Sequence, residues 1–311
     1  MVTTPELIQS FFLATTCAIV FLNLVPDLRS RFLKYGLRAE PVDARKRDEG
    51  NSISSKRSSK GLILSILDTV SKIQVAHAYF KHLYILSVLS SVFWAVQILN
   101  KGNILRSVAG MMDSNGSAKS MSMNQIFLLW SFLLLQGIRR LLESVFVMKP
   151  SASKMWIVHY ALGLGFYMIM GITVWIEGAG TLLATKAPLQ DLSLSAPSKR
   201  TLLCTPLFIL ASGIQHDCHA YLASLPKYTL PEHPMFQLII CPHYFAECVI
   251  YISLAILGAP EGAWVNKTLC SALLFVIANL GVTASTSKEW YAQKFGKDKV
   301  AERWKMIPFV Y

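Results

Sequence analysis

Residues 213–247 read GIQHDCHAYLASLPKYTLPEHPMFQLIICPHYFAE, which is two apolar segments joined by a short loop with several prolines. The stretch contains four of the seven histidines of the chain, together with Asp217 and Glu247. An ionisable side chain inside a membrane-spanning segment costs about 2.5 to 3.5 kcal/mol on insertion scales. Apolar packing does not offset the insertion cost of several such side chains, so the stretch indicates a functional site within a membrane protein.

The composition of the whole chain is also that of a membrane protein. Of its 311 residues, 53% are hydrophobic and only 15% are charged, and the mean hydropathy is +0.43. A helix needs about 20 apolar residues to cross a hydrocarbon core of roughly 30 Å. Seven runs of this length occur, at 7–26, 79–99, 126–147, 156–177, 202–223, 236–258 and 267–286. We therefore predict an all-α bundle of about seven transmembrane helices.

The distribution of basic residues predicts the orientation of this bundle. The loops at 27–73, 139–155, 224–235 and 284–311 hold twenty-two of the thirty Lys and Arg residues, and the alternate loops hold seven. Cytosolic loops are enriched in Lys and Arg, so the N-terminus should be lumenal and the C-terminus cytosolic. The same bias explains the net charge of +12 without a nucleic-acid partner. No pattern in the sequence indicates an obligate protein partner either.

The third apolar run ends in LLLQGIRRLLESVFV at residues 133–147. Arg139 and Glu143 are four residues apart, so they share a helix face and can form an ion pair. Long basic side chains at a helix end usually reach toward water. Glu143, however, is followed by four more residues of the run, which is deeper than that explanation needs. We therefore predict that this turn contributes to a site.

Residues 213–247 contain this spacing of four residues twice. Gln215 and His219 are four residues apart, as are His243 and Glu247, so each pair shares one face of a helix. Three prolines fall within residues 222–236, which therefore cannot form one continuous helix. We expect the two polar faces to meet near the cytosolic membrane surface beneath a cationic loop.

Aromatic side chains mark two further segments. Tyr79 and Tyr84, with neighbouring histidines at the start of the second run, are typical of an interfacial aromatic belt. The chain ends in MIPFVY, which is too apolar for a solvated tail. We expect the tail to dock onto the cytosolic face of the bundle and to bring Tyr291 near the polar cluster.

Several kinds of site are disfavoured by the motifs present. Membrane di-iron enzymes use about eight histidines in repeated boxes, whereas this chain has a single H-x-x-H, from His216 to His219, so we predict no metal. The G-x-S-x-G elbow of a serine hydrolase and the P-loop do not occur. A cationic pocket open to both cytosol and lipid remains, which suits an anionic soluble cofactor and a lipid substrate.

Several of these segments together resemble the steroid 5α-reductase family, in its polyprenol reductase branch. The segments are FKHLYILS (80–87), QGIRRLLES (136–144), QHDCH (215–219), YTLPEHPMF (228–236), CPHYFAE (241–247), EWYAQKF (289–295) and IPFVY (307–311). The resemblance implies a reductase of the endoplasmic reticulum membrane that uses NADPH in dolichol synthesis and so supports protein N-glycosylation. It also implies that residues 75–311 form the catalytic membrane domain, preceded in 1–74 by a first transmembrane helix and a basic cytosolic loop.

The resemblance also implies site residues. The candidate catalytic residues are Tyr291, Glu143 and His219. The candidate cofactor-binding residues are Arg139, Arg140, His219, Lys227, Tyr228, His243, Glu247, Lys288 and Tyr291. Two positions depart from the family pattern: Pro226 replaces a basic residue, whose phosphate contact we assign to Lys227, and Lys288 stands where the branch often has a histidine.

The chemistry of the reaction predicts the form of the substrate. An isolated trisubstituted alkene does not accept hydride readily, whereas an alkene conjugated to a carbonyl passes the charge to oxygen as an enolate. We therefore predict polyprenal as the immediate substrate, with the free alcohol requiring prior oxidation. Three alternatives remain open: a steroid 4-dehydrogenase activity, a membrane lipid methyltransferase, and a scaffolding protein whose charges are only paired.

Overall fold

A computed structural model describes residues 2–33, 65, 67–111, 120–149, 153–192, 196–226 and 228–311 of the chain. We number ten of the α-helices within them and leave out the single turn Pro26–Leu28; the two short strands form one antiparallel pair. The helices are α1 (Thr4–Leu24), α2 (Phe80–Leu99), α3 (Asn103–Gly110), α4 (Met123–Leu142), α5 (Ile157–Ile176), α6 (Ala179–Ala184), α7 (Lys199–Ser224), α8 (Pro234–Leu238), α9 (Pro242–Leu257) and α10 (Lys267–Phe295). The strands are β1 (Gln74–Ala76) and β2 (Lys154–Trp156). Most of the basic loop predicted between α1 and α2 lies outside the described residues.

The long helices begin at residues that cap the free backbone N–H groups of the first turn. Thr3 and Glu6 form a capping box at the start of α1, and Ser122 and Gln125 form another at α4. At α10 the cap is Asn266, which is fully buried and whose side chain accepts a backbone hydrogen bond. Local sequence therefore sets where each of these helices enters the bundle.

A helix lies at each of the seven predicted positions, and five of these helices are both long enough and apolar enough to cross a membrane. These five are Thr4–Leu24, His77–Leu99, Met123–Val147, Ile157–Ala184 and Lys267–Phe295. Helix α7 is long enough, at 26 residues, but polar side chains occupy its last turns. Helix α9 has 16 residues, which corresponds to about 24 Å at 1.5 Å per residue. The chain is thus a multi-pass membrane protein.

The sequence prediction of a continuous run over 236–258 is wrong at its start. Helix α8 ends at Leu238, and α9 begins only at Pro242. Both helices start with proline, which is favourable in the first turn of a helix and unfavourable inside one. Of the intervening residues, Ile239 is extended and pairs with Trp304 of the C-terminal tail.

Aromatic rings join the N-terminal helix to the rest of the bundle. Phe12 of α1 is fully buried, and its ring lies 5.9 Å from Phe166 of α5 and 6.1 Å from Phe275 of α10. The ring of Phe166 also lies 6.0 Å from that of Tyr251 on α9. Ring separations of 4.5–7 Å are those of favourable aromatic pairs. Helix α1 therefore shares one core with the later helices, while the division at residue 74 stays a prediction.

Polar side chains gather where α2, α5 and α9 begin and where α4, α7 and α10 end, and we call this the polar end of the bundle. At this end Arg140 Nη2 lies 2.7 Å from the hydroxyl oxygen of Tyr84. Arg29, just after α1, forms an ion pair of 2.5 Å with Glu289 of α10. Six helices and the segment after α1 thus present their polar termini to one region.

The predicted docking of the C-terminal tail is confirmed. The backbone of Trp304 accepts a hydrogen bond from Ile240 N–H at 2.7 Å, and Lys305 accepts one from Cys241 N–H at 3.1 Å. Arg303 Nη1 donates to the carbonyl oxygens of Pro231 and Phe236, at 3.0 and 3.1 Å. The tail therefore fixes the chain immediately before His243.

We predict that Arg303→Ala loosens the tail. A hydrogen bond from a charged donor contributes about 1.5 to 3 kcal/mol, so protection of amides 300–306 from hydrogen exchange should fall by about tenfold or more. The matched control is Lys299→Ala, because Lys299 is exposed in the same segment. Equal exchange in the two variants would contradict this role for Arg303.

Candidate functional site

The centre of the polar end is the carboxylate of Glu143, whose side chain is 2% exposed. Arg139 and Arg140 each form an ion pair with one of its oxygens, as the sequence spacing predicted for Arg139. His216 Nδ1 lies 2.8 Å from Oε1, and His219 Nδ1 lies 2.9 Å from Oε2. This buried carboxylate therefore has four partners and ties α4 to α7.

Local geometry explains how these side chains converge. The regular hydrogen bonding of α4 changes at its end to a π-helical turn, Glu143–Val147. Such turns are frequent at functional sites. His216 and His219 are three residues apart and so lie on one face of α7. The arginines also lie at the C-terminal end of α4, where the helix dipole favours positive charge.

A second layer of hydrogen bonds connects α9 to this centre. Gln215 Nε2 donates to a carboxylate oxygen of Glu247, which confirms that the two polar faces meet. Gln136 Nε2 donates to the amide oxygen of Gln215 at 3.0 Å. Arg139 donates to the amide oxygens of both glutamines. The ring of His243 lies beside this layer, 5.4 Å from that of His219.

We call Glu143, its four partners and the second layer of Gln136, Gln215 and Glu247 the inner cluster. The formal charges of its arginines and glutamates are balanced. Both arginines form ion pairs with Glu143, while Glu247 accepts from the side-chain amides of Gln215 and Gln136. Within the described residues, no group of three or more His, Cys, Asp or Glu side chains is arranged to hold a metal ion. The cluster is thus suited to orient uncharged polar groups rather than to bind a free anion.

A small cavity opens beside the cluster, between α2, α4, α5 and α9. It has space for the centre of about one water molecule, about 10 Å³. The polar and glycine residues in its wall include Tyr84, Gln136, Gly137, Arg140, Tyr167 and Glu247. A larger cavity of about 100 Å³ near the other end of α4 is lined only by apolar side chains such as Ile98 and Phe127. Of the two, only the smaller cavity brings polar groups together.

The sequence prediction is wrong for Tyr84. It assigned this residue to an interfacial aromatic belt, whereas its side chain is 3% exposed and lines the cavity. Tyr79, from the same predicted belt, is 45% exposed. The available signal was the spacing of Tyr84, Ser87 and Ser91, which places polar atoms along one inward stripe of α2.

A separate aromatic and cationic patch lies between the loop and the end of α10, and we call it the outer patch. It consists of Tyr228, Trp290, Tyr291 and Lys294. Lys294 Nζ lies 4.2 Å from the ring centroid of Tyr228 and 5.0 Å from that of Trp290. Tyr228 has a positive φ of 69°, which turns the loop sharply at this point. The ring of Tyr291 lies 5.2 Å from Trp290, and its place beside the inner cluster stays a prediction. Lys227 lies outside the described residues.

Lys288 is engaged by the tail. Its Nζ donates to the carbonyl oxygens of Ala301 at 3.0 Å and Arg303 at 2.6 Å. These bonds hold the tail against α10, so the structure gives Lys288 a part in fixing the tail. The phosphate contact expected of it from the sequence stays a prediction.

The donor set of the polar end is compatible with a dinucleotide cofactor that has a neutral head and anionic phosphates. The balanced inner cluster suits an uncharged amide-bearing ring, and the buried Nε of Arg139 makes no hydrogen bond with the described residues. The outer patch combines an exposed tyrosine, a tryptophan and Lys294, which suit a stacked base and a phosphate.

Comparison with known proteins finds a family match to part of the chain and several similar proteins. The family described as 3-oxo-5-alpha-steroid 4-dehydrogenase matches residues 190–311, which contain α7 to α10 and the tail. Polyprenal reductase of Xenopus tropicalis is 32% identical over 202 residues, which cover 60% of this chain and 61% of that protein. The alignment thus spans less than two thirds of the Xenopus protein.

Other relatives align over nearly the whole chain. Polyprenal reductase of Saccharomyces cerevisiae is 27% identical over 97% of this chain and 92% of its own length. Polyprenal reductase of Danio rerio is 29% identical over 93% of this chain and 89% of its own length. Both alignments are long enough to include Glu143 and the other residues of the inner cluster. The chain is therefore similar to polyprenal reductases over nearly its whole length, and to the 3-oxo-5-alpha-steroid 4-dehydrogenase family over residues 190–311.

Proposed function

We propose that the chain is an NADPH-dependent reductase that saturates the α-isoprene double bond of polyprenal, for dolichol synthesis and protein N-glycosylation. The observation that carries this proposal is the buried polar cluster with a cavity beside it, within helices that are otherwise apolar. Similarity to polyprenal reductases supports the substrate class. An aldehyde substrate also agrees with the need for conjugation during hydride addition.

We further propose that seven helices, including α7 and α9, cross the membrane of the endoplasmic reticulum, with a lumenal N-terminus and a cytosolic C-terminus. The excess of basic residues at the polar end supports this orientation. The alternating directions of the helices agree with it, since the starts and ends of successive long helices meet at the polar end. Residues 1–74 would add the first span and a basic loop to a catalytic domain of 75–311.

NADPH would be held by the residues of the polar end. Arg139, His243 and Glu247 are suited to the nicotinamide side, and Tyr228 with Lys227 to the adenine and phosphate side. NADPH supplies a hydride when it is bound. The protein's own task is then to orient a lipid carbonyl, exclude water and supply hydrogen-bond donors.

The contacts of Glu143 favour a positioning role over proton transfer. Its two oxygens already accept from both arginines and face two histidines. His219 is better suited to act on substrate, because its Nε2 makes no hydrogen bond with the described residues. Because the Glu143 carboxylate only accepts, a His219 ring that donates to it from Nδ1 needs a second proton on Nε2 in order to donate to a substrate as well. Tyr291 is the second proposed donor.

The experiment that tests the function uses the purified full-length protein in detergent. With NADPH it should saturate polyprenal, and polyprenol or an enone steroid should react at least about tenfold more slowly. S-adenosylmethionine should give no methylated lipid. Methyl transfer without NADPH oxidation would replace the proposal by a methyltransferase, and preference for the steroid would place the chain in the other branch.

We predict that His219→Ala and Tyr291→Phe lower kcat for polyprenal by about 10²- to 10³-fold. Loss of one donor to a developing oxyanion typically has this effect, which equals about 2.7 to 4 kcal/mol of barrier. Tyr79→Phe is the matched control, because Tyr79 is an exposed tyrosine at the same end. Turnover equal to that of the control in both variants would refute these two assignments.

We predict that Glu143→Gln destabilises the fold as well as the site. Breaking a buried ion pair by neutralising one partner costs about 3 to 5 kcal/mol, and here two arginines lose their shared carboxylate. Thermal unfolding in detergent measures the effect. Glu6→Gln is the control, since Glu6 is exposed and a glutamine can keep the capping box. Equal melting temperatures for the two variants would contradict the prediction.

A further inference from the structure

Tyr84 forms a hydrogen bond that leaves its own proton available. Arg140 Nη2 lies 2.7 Å from the phenol oxygen, and a guanidinium can only donate, so Tyr84 accepts in this contact. The guanidinium carbon also lies 4.9 Å from the ring centroid. Tyr84 donates to no atom of the described residues, although a buried tyrosine hydroxyl usually finds an acceptor. An acceptor supplied by a ligand would complete this arrangement.

The cavity provides a place for such an acceptor. Tyr84, Arg140 and Glu247 contribute polar groups to its wall, and Tyr251 and Leu133 contribute apolar surface. Small-molecule sites commonly combine mainly apolar walls with a few convergent polar groups. An aldehyde on an isoprenoid chain is likewise apolar except at one end, because only its carbonyl oxygen needs a hydrogen-bond donor.

Gly137 keeps the wall between α2 and α4 recessed. A Cβ atom at this position would lie 2.9 Å from Ser87 Oγ, so a larger residue would require one of the two helices or the serine to move. Gly137 and Ser87 both line the cavity. Close approach of α2 to α4 is therefore compatible with an open cavity only because residue 137 has no side chain.

We propose that this cavity binds the carbonyl head of an isoprenoid 2-enal and that Tyr84 donates a hydrogen bond to its oxygen. The proposal rests on the proposed function and adds a catalytic residue to it. Arg140 orients the phenol by donating to it. Glu143, which forms an ion pair with Arg140, then acts through Arg140 rather than on the substrate.

The step balances as a conjugate addition. Hydride forms the new C–H bond at the β carbon, the π electrons of C=C move to form Cα=C, and the carbonyl electrons move to oxygen. Tyr84 stabilises this enolate oxygen by its hydrogen bond. A proton from solvent then bonds to Cα as the carbonyl is restored, so that one enal, one NADPH and one H⁺ give the saturated aldehyde and NADP⁺.

Binding without turnover tests the proposal first. A short isoprenoid 2-enal labelled with ¹³C at the carbonyl is added to the full-length protein in detergent without NADPH, and its carbonyl stretch is measured by isotope-edited infrared spectroscopy. A hydrogen bond from Tyr84 should shift the stretch of the bound enal to lower frequency. The shift should be lost in Tyr84→Phe, which keeps the ring. An equal shift in both proteins would overturn the proposal.

Turnover provides the second measurement. Tyr84→Phe should lower kcat for the enal by about 10²- to 10³-fold, with unchanged melting temperature and NADPH affinity. Tyr160→Phe is the matched control, because the Tyr160 hydroxyl lies 3.0 Å from His82 Nδ1 and outside the cavity. A kcat for Tyr84→Phe within threefold of wild type, or a change in KM alone, would overturn the assignment. An inactive wild-type protein would instead refute the proposed function.

Discussion

A negative charge in the end of an apolar helix bundle is stable only if other groups surround it, and Glu143 meets this condition with four partners. Taking an ion out of water costs several kcal/mol even after relaxation. The arginines and histidines around Glu143 offset this cost only in one arrangement of α4 and α7. The same constraint holds Arg140 in place against Tyr84. Much of the site geometry thus depends on one buried carboxylate.

The hydrogen bonds around this centre extend to the last residues of the chain. Glu143 joins α4 to α7, and Gln215 joins α7 to α9 through Glu247. The tail then holds the segment before α9 by backbone bonds, while Arg303 and Lys288 hold the tail. Each of these connections fixes the position of a segment to which the next connection is made. A chain that assembles its site from four separated segments needs such connections, because no single helix contains the whole site.

The distribution of charge divides the polar end into two parts with different chemistry. The inner cluster contains two arginines and two glutamates, so its formal charges balance, and it lies among apolar helices. Such a cluster suits neutral groups such as an amide or an aldehyde. The outer patch around Lys294 has exposed aromatic rings and a cation, which suits a soluble anion. A reaction between a lipid and a water-soluble cofactor needs both environments close to the membrane surface.

The sequence by itself determined the helical, multi-pass character of the chain, the pairing of Arg139 with Glu143, the meeting of the polar faces of α7 and α9, and the break between them. These features follow from local rules, namely apolar run length, the spacing of four residues on a helix, and proline. Only the tertiary structure decided that Tyr84 is buried, that Lys288 binds the tail, and that residues 239–241 leave the helix. Those outcomes depend on which segments of the chain meet in the fold, and side-chain spacing along one helix carries no information about a partner in another segment.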